Sequence, residues 1–329
     1  MDIDFQTYLL TLWYHENHGT ALQAYALQRA FERIGVNAIH LVCSSFSKAF
    51  QPLPYASIRE LCRTSTKKHP ILDFYDREIR HSDLIYTRRS LGRMSNVKAK
   101  VVLGSDQVWN PSVLGYESIF TMALFPGTIR KFTYAPSVGT YMLSNEFKDR
   151  LKIVLRNFEL LSCRDPWLPS KLGQKLKREM TVVVDPTLLF NRTFWANEAK
   201  DIPRIGGRYV LLYKLGTRKD VVAYANRLAE KRCATVFDLM EKAEIIGPHE
   251  FIGLVKNANF VVTDSFHGLI FSHIFKRPVK AFYKYSGGLL ASDNVRLRDL
   301  RELLGHPKVL RDRIRLSWAY LRKVVGYDG

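Results

Sequence analysis

The chain has 329 residues, with 50 Lys and Arg against 31 Asp and Glu and a formal net charge of +19. Its length, with 47% hydrophobic and 12% aromatic residues, allows large buried cores, which excludes an intrinsically disordered protein and a small cross-linked scaffold. No apolar run approaches the ~20 residues of a transmembrane helix, and Met1-Asp2-Ile3-Asp4 is acidic where a secretory leader is basic.

In chain order, strands and helices alternate. Apolar residues 7–13 read as a strand, and residues 20–34 carry Leu22, Tyr25, Ala26, Phe31 and Ile34 close to helical spacing. Gly35 ends that helix, and 37–42 read as a second strand. Residues 44–98 are polar, basic and broken by Pro, and predict helices and long loops. Val101 to Leu103 form a buried strand opening into Gly104-Ser105-Asp106. Strand 131–135, helix 144–157, strand 159–163 and strand 181–184 follow. The second half gives strand 209–213, helix 218–231, a short helix opened by Gly247-Pro248, strand 260–262, helix 266–275 and strand 279–282. Apolar strands alternating with helices predict an α/β protein: two Rossmann-like domains facing across a cleft, with ligands at the carboxyl ends of the strands. The expected divisions are 1–195, 196–305 and a basic terminal helix over 306–329.

The four cysteines (Cys43, Cys62, Cys163, Cys233) contain no C-x-x-C pair, so neither a zinc nor a disulfide framework is expected and a reducing, cytoplasmic setting is. His15, His18, His249 and His273 match no metal-ligand spacing, and no metal or cofactor is expected. The positive charge fits either a basic solvated surface or an anionic partner; no nucleic-acid-binding signature accompanies it.

Four polar clusters stand at strand carboxyl ends. Asn17-His18-Gly19-Thr20 either caps the following helix or offers its N–H groups to an anion. Gly104-Ser105-Asp106-Gln107-Val108-Trp109-Asn110-Pro111 is a long polar loop directly after a buried strand. Ser162-Cys163-Arg164-Asp165 carries an Arg whose planar fork suits a carboxylate or phosphate, or makes a salt bridge. Thr263-Asp264-Ser265-Phe266-His267-Gly268 sets His267 in the first turn of a helix, where proton chemistry or a structural role is open to it. Residues 280–288 read as a lid or a plain loop. Leu310, Ile314, Trp318, Leu321 and Val325 form an apolar stripe flanked by Arg311, Arg313, Arg315, Arg322 and Lys323. That stripe either packs on its own protein or lies on an anionic membrane.

GSDQVWNP at 104–111, SCRDP at 162–166, VVDPTLLF at 183–190 and GPHEFIGLVKNANFVVTDSFHGLIFSHIF at 247–275 resemble the polysaccharide pyruvyl transferase family. NHGTALQAYALQ at 17–28 is similar to its N-terminal motif, and Asn294-x-Arg296 to a later one. The resemblance implies a metal-independent GT-B-like architecture. It implies transfer of a pyruvyl group from phosphoenolpyruvate (PEP) onto two hydroxyls of a surface polysaccharide or its precursor. By the same resemblance Arg164 and His267 hold PEP, with Ser265, Phe266, Gly268 and Arg296 beside them. One departure stands out: many members carry Arg two positions before that His, where this chain has Ser265, with Arg296 or Lys214 as candidates for the missing charge. His267 is expected as the acid, and Asp106 to orient or deprotonate a sugar hydroxyl. Asn17, Gly19, Ser105, Gln107, Trp109 (as a stacking ring) and Asn110 are expected on the acceptor side. The implied partners are PEP and a sugar acceptor on a lipid, nucleotide or polymer carrier, with a peripheral contact at the inner membrane face. Two rivals are a GT-B glycosyltransferase using a nucleotide sugar and a non-catalytic basic glycan-binding relative.

Overall fold

The computed structural model describes residues 5–12, 17–43, 70–83, 91, 94, 98–111, 119–123, 125–173, 176, 178–202, 207–242, 245–284 and 294–326. Trp13, His15, Cys62, most of the 44–98 segment and residues 285–288 of the lid-or-loop segment lie outside them.

The first sheet holds β1 (Gln6–Leu10), β2 (Ile39–His40), β3 (Ala99–Leu103) and β4 (Arg130–Thr133) in the order β2-β1-β3-β4, all parallel. A bridge between Phe132 and Leu160 continues it toward a parallel pair, β5 (Ser162–Cys163) and β6 (Thr181–Val182). The second sheet holds β7 (Tyr209–Tyr213), β8 (Thr235–Asp238), β9 (Phe260–Thr263) and β10 (Val279–Ala281) in the order β10-β9-β7-β8, again parallel. Several strands are shorter than their apolar runs, because the chain turns away at the polar clusters that follow them. β8 was not expected: it is a half-exposed edge strand after a turn at Cys233, so its apolar pattern is weak.

Helix α1 (His18–Arg33) is the spine of the molecule. Every residue from His18 to Gln28 is buried, far more than an amphipathic surface helix allows. It packs on α2 (Pro70–Glu78) and on two helices of the second half, α7 (Pro248–Asn257) and α8 (Phe266–Ile274). Between lie α3 (Asn145–Leu155), α4 (Leu168–Leu172), α5 (Arg192–Glu198) and α6 (Lys219–Lys231), and the chain closes with α9 (Val295–Gly305) and α10 (Pro307–Val325). One core runs through both sheets, so Leu9, Ala26, Phe251 and Phe271 belong to a single apolar cluster.

The terminal helix returns to the first half. Leu310 and Leu321 are buried, and Ile314, Trp318 and Val325 pack against the core. Ser317 Oγ accepts from Val184 N at 2.9 Å, and Lys100 Nζ donates to Val325 O at 2.7 Å. The apolar stripe is therefore covered by its own protein, and the reading in which it lies on a membrane is corrected. Arg311, Arg315, Arg322 and Lys323 stay exposed on the opposite face. Among the described residues no helix is long and apolar enough to cross a membrane.

Two buried histidines make stability fall in acid. Burial lowers the pKa of His18 from 6.5 to about 4 and, against the opposing pull of Ala24 O on its ring, that of His40 to about 3. The unfolded chain takes up protons below pH 6.5 that the folded His18 and His40 refuse. Stability is therefore full above that pH and lost as pH falls toward the folded values, by about 3 kcal/mol or more per residue. Urea midpoints should drop between pH 7 and about 5; a flat or rising midpoint contradicts the burial of these two rings as neutral groups.

Candidate functional site

Two helix N-termini meet at the carboxyl edges of the two sheets. Asn17 caps α1 by accepting from Gly19 N at 2.9 Å, and the Tyr213 hydroxyl donates to the same oxygen at 3.2 Å. Ser265 caps α8 by accepting from Gly268 N at 3.2 Å. His267, in the first turn of α8, lies directly against Gly19: a Cβ built there would stand 2.1 Å from its Nδ1. Gly19→Ala should therefore displace the imidazole, destabilise the fold by about 1–3 kcal/mol and depress turnover. Calorimetry beside an activity assay checks this, and an alanine variant with unchanged melting temperature and turnover rules out the close approach.

Asp185 is the hub. Its Oδ2 accepts from Arg164 Nη1 at 2.6 Å and from Ser105 Oγ at 3.2 Å, and lies 3.6 Å from His267 Nε2. Its Oδ1 accepts from Thr187 Oγ1 at 2.6 Å and Thr187 N at 3.1 Å. Asp106 is the second acid: Oδ2 accepts from Thr20 Oγ1 at 3.0 Å, and Oδ1 accepts from Gln107 N at 3.0 Å and sits 3.5 Å from Arg164 Nη2. Asp106 holds φ at 72°, a left-handed conformation uncommon for a residue with a side chain and found most often where function demands it. Arg164 is thus clasped by two carboxylates, with Phe266 stacked 4.2 Å from its guanidinium carbon.

Burial pushes both carboxyls up, and the cations around them outweigh it. Arg164, His267 and Arg296 hold Asp106 below its ordinary value; His267, Arg164 and the Thr187 hydroxyl hold Asp185 far below. Both stay ionised near neutrality. Both oxygens of Asp106 are engaged, by Thr20, Gln107 and Arg164. Asp165 goes the other way: burial raises it, although Ser137 Oγ and Val138 N donate to it at 2.9 and 2.8 Å.

The remaining expected site residues divide. Gln107 lies between Asn110 (2.6 Å) and the Arg296 guanidinium (2.6 and 3.2 Å, the amide oxygen turned to Arg296). Gly139, with φ at 74°, leaves room for both amides. Trp109 corrects its expectation: it is 5% exposed, donates to Phe120 O at 3.3 Å and meets Phe158 edge-on, so its ring belongs to the core and not to a sugar. Gly268 is explained by Thr263, whose Oγ1 would stand 2.6 Å from any Cβ there. Lys214 folds back onto Gly216 O at 2.7 Å, and Asp264 accepts from Leu215 N and Gly216 N at 2.7 and 2.8 Å, so both serve the loop after β7. His18 stacks on Phe251, His249 contacts Glu198 O at 2.6 Å, and neither reaches the cluster. The residue missed from sequence is Asp185; it stands at the end of a strand in front of Pro186, the same signal that singled out Arg164.

Beside this cluster opens a narrow cleft lined by Arg164, Asp165, Asp185, Phe266, Arg296, Asp299 and Arg313 together with apolar residues of β6's exit, α9 and the 186–189 turn. Arg164 Nη2 and His267 Nε2 are buried, with their carboxylate partners Asp106 Oδ1 and Asp185 Oδ2 at 3.5 and 3.6 Å.

UDP-GlcNAc 2-epimerase from Methanocaldococcus jannaschii is similar in structure, with a TM-score of 0.51 at 13% identity over 91% of this chain and 92% of that one. E. coli heptosyltransferase WaaC with ADP aligns at a TM-score of 0.37 and 14% identity, over 88% and 90%. Two parallel-sheet units meeting at their carboxyl edges, with the first of these likenesses, define a GT-B-like fold. The chain belongs to the polysaccharide pyruvyl transferase family, whose sequence model matches residues 17–283, and with it to the transferases that act on polysaccharide. No curated protein sequence matches it.

Proposed function

We propose that the chain is a ketal pyruvyltransferase that moves the pyruvyl group of PEP onto two hydroxyls of a sugar in a surface polysaccharide or its precursor, releasing phosphate. The observation that carries this reading, beyond family membership, is the convergence of Arg164 and His267 on Asp185 beside the N-termini of α1 and α8, where an oxyanion is favoured. PEP presents such oxygens at both ends.

In this scheme protonated His267 gives its proton to the PEP methylene. The carbon bearing the phosphate becomes oxocarbenium-like, and one sugar hydroxyl attacks it, its proton returning to the imidazole. The C–O bond to phosphate then breaks, the second hydroxyl closes the ring, and its proton leaves with the phosphate. Asp185 faces the His267 nitrogen at 3.6 Å and orients the ring for both transfers. General acid–base groups of this kind commonly contribute ~10²–10⁴-fold. Asp106 acts as a positioning residue, holding Arg164 toward the donor.

With Trp109 buried, the aromatic surface offered to a sugar ring is Tyr141 and Trp167. Tyr141 is 41% exposed and meets Trp167 at 4.9 Å, and Trp167 follows Pro166 on the wall of the cleft. A lipid-linked acceptor would bring anionic headgroups to the exposed Arg311, Arg315, Arg322 and Lys323 face of α10. Thermal denaturation with PEP and, in parallel, with UDP-sugars tests the donor, because a ligand stabilises the state it binds. PEP should raise the midpoint and UDP-sugars should not. Stabilisation by a UDP-sugar alone would replace this reading with a glycosyltransferase.

A further inference from the structure

Three guanidinium groups line the cleft, and they are not equivalent. Arg164 is neutralised by Asp185 and Asp106. Arg296 is engaged by the Gln107 amide. Arg313, on α10, lies half-buried on the same wall, and among the described residues no carboxylate comes within ion-pair distance of it; Glu302 attracts it only from farther away. We infer that Arg313 is a further anion ligand of the cleft beside Arg164, meeting a carboxylate or phosphate of the small donor substrate. The inference rests on the proposed reading for the donor's identity, but not for the anion's chemistry.

Three further observations support this assignment. Burial lowers the pKa of Arg313, the sign of a charge held away from water without a partner that repays it. The residue is also fixed in place: its carbonyl accepts from Ser317 Oγ at 2.7 Å, and that same oxygen accepts from Val184 N at 2.9 Å, next to Asp185. The backbone that carries Arg313 is thus tied to the strand end that carries Asp185. Finally, the cleft also has apolar walls, Val183, Val184, Leu188, Leu300 and Leu303, which suit an anion attached to a small hydrocarbon fragment. The family match ends at residue 283, so Arg313 stands outside it. The terminal helix thereby has a binding role as well as a packing one.

Isothermal titration of the full chain with PEP, inorganic phosphate and pyruvate, one at a time, tests this on Arg313→Gln, Arg313→Lys and the exposed control Arg315→Gln. Arg313→Gln should weaken PEP by about tenfold or more, as expected for a lost hydrogen bond to a charged group. Lys should restore part of that, and Arg315→Gln should bind like the parent. The phosphate and pyruvate arms identify which end of the donor Arg313 meets. If the parent binds phosphate or pyruvate but not PEP, the pyruvyltransferase reading fails, and Arg313 is judged on the anion that does bind. A folded Arg313→Gln protein, with an unchanged melting temperature, that binds every anion as tightly as the parent overturns the inference, as does a parent that binds none of them.

Discussion

Asp185→Ala is expected to be the most damaging single substitution in the molecule. It strips one carboxylate from Arg164, Ser105, Thr187 and the face of His267 at once. The Arg164 guanidinium then stays buried with Asp106 as its remaining partner at 3.5 Å. Removing one member of a buried ion pair commonly destabilises by about 3–5 kcal/mol, because the other charge is left without compensation. Denaturant unfolding should show that loss. Asp185→Asn separates shape from charge: it keeps the volume and one acceptor, so it should fold better than the alanine variant while turning over far more slowly. An Asp185→Ala protein as stable as the parent would mean that the cluster is held together by something other than this carboxylate.

The second large effect is expected at His267. Replacement by Asn keeps a polar group in the first turn of α8 but removes the imidazole, and should lower turnover by at least ~10²-fold. The fold should persist, because the α8 cap rests on Ser265 and Gly268 and does not involve the His267 side chain. Circular dichroism and phosphate release, measured on the same preparation, decide it. A folded His267→Asn enzyme with near-normal release leaves His267 a packing residue for Gly19 and moves the proton transfer elsewhere. Asp165, whose carboxyl burial raises, would then be the acid of the cleft to examine next.

Much of this architecture was legible from residues alone. The strand over 209–213 coincides with β7, and helix 266–275 nearly with α8, because long apolar runs with a capping residue at the start leave little freedom. The rule that chemistry gathers at strand carboxyl ends led to Asp106, Arg164 and His267, which do converge. What sequence could not supply was pairing across the molecule. Asp185 accepts from Thr187 N as a local cap with one oxygen, yet its other oxygen binds residues 21 and 80 positions away. Trp109 illustrates the converse: its place in a polar loop suggested exposure, but Phe120 and Phe158, remote in sequence, bury it. Arg313 read as one of several basic flanks of an apolar stripe; only the fold separates it from the exposed Arg311 and Arg315, by turning it into the cleft.

The most direct test of the central claim is to incubate the purified chain with PEP and a panel of free, nucleotide-linked and lipid-linked sugars, measure phosphate release, and examine the acceptor by NMR. The account predicts phosphate appearing in step with a new methyl group on a ketal carbon bridging two oxygens of one sugar, and neither signal with Arg164→Ala or His267→Asn. A sugar transferred from a nucleotide donor, with PEP left intact throughout, would contradict it.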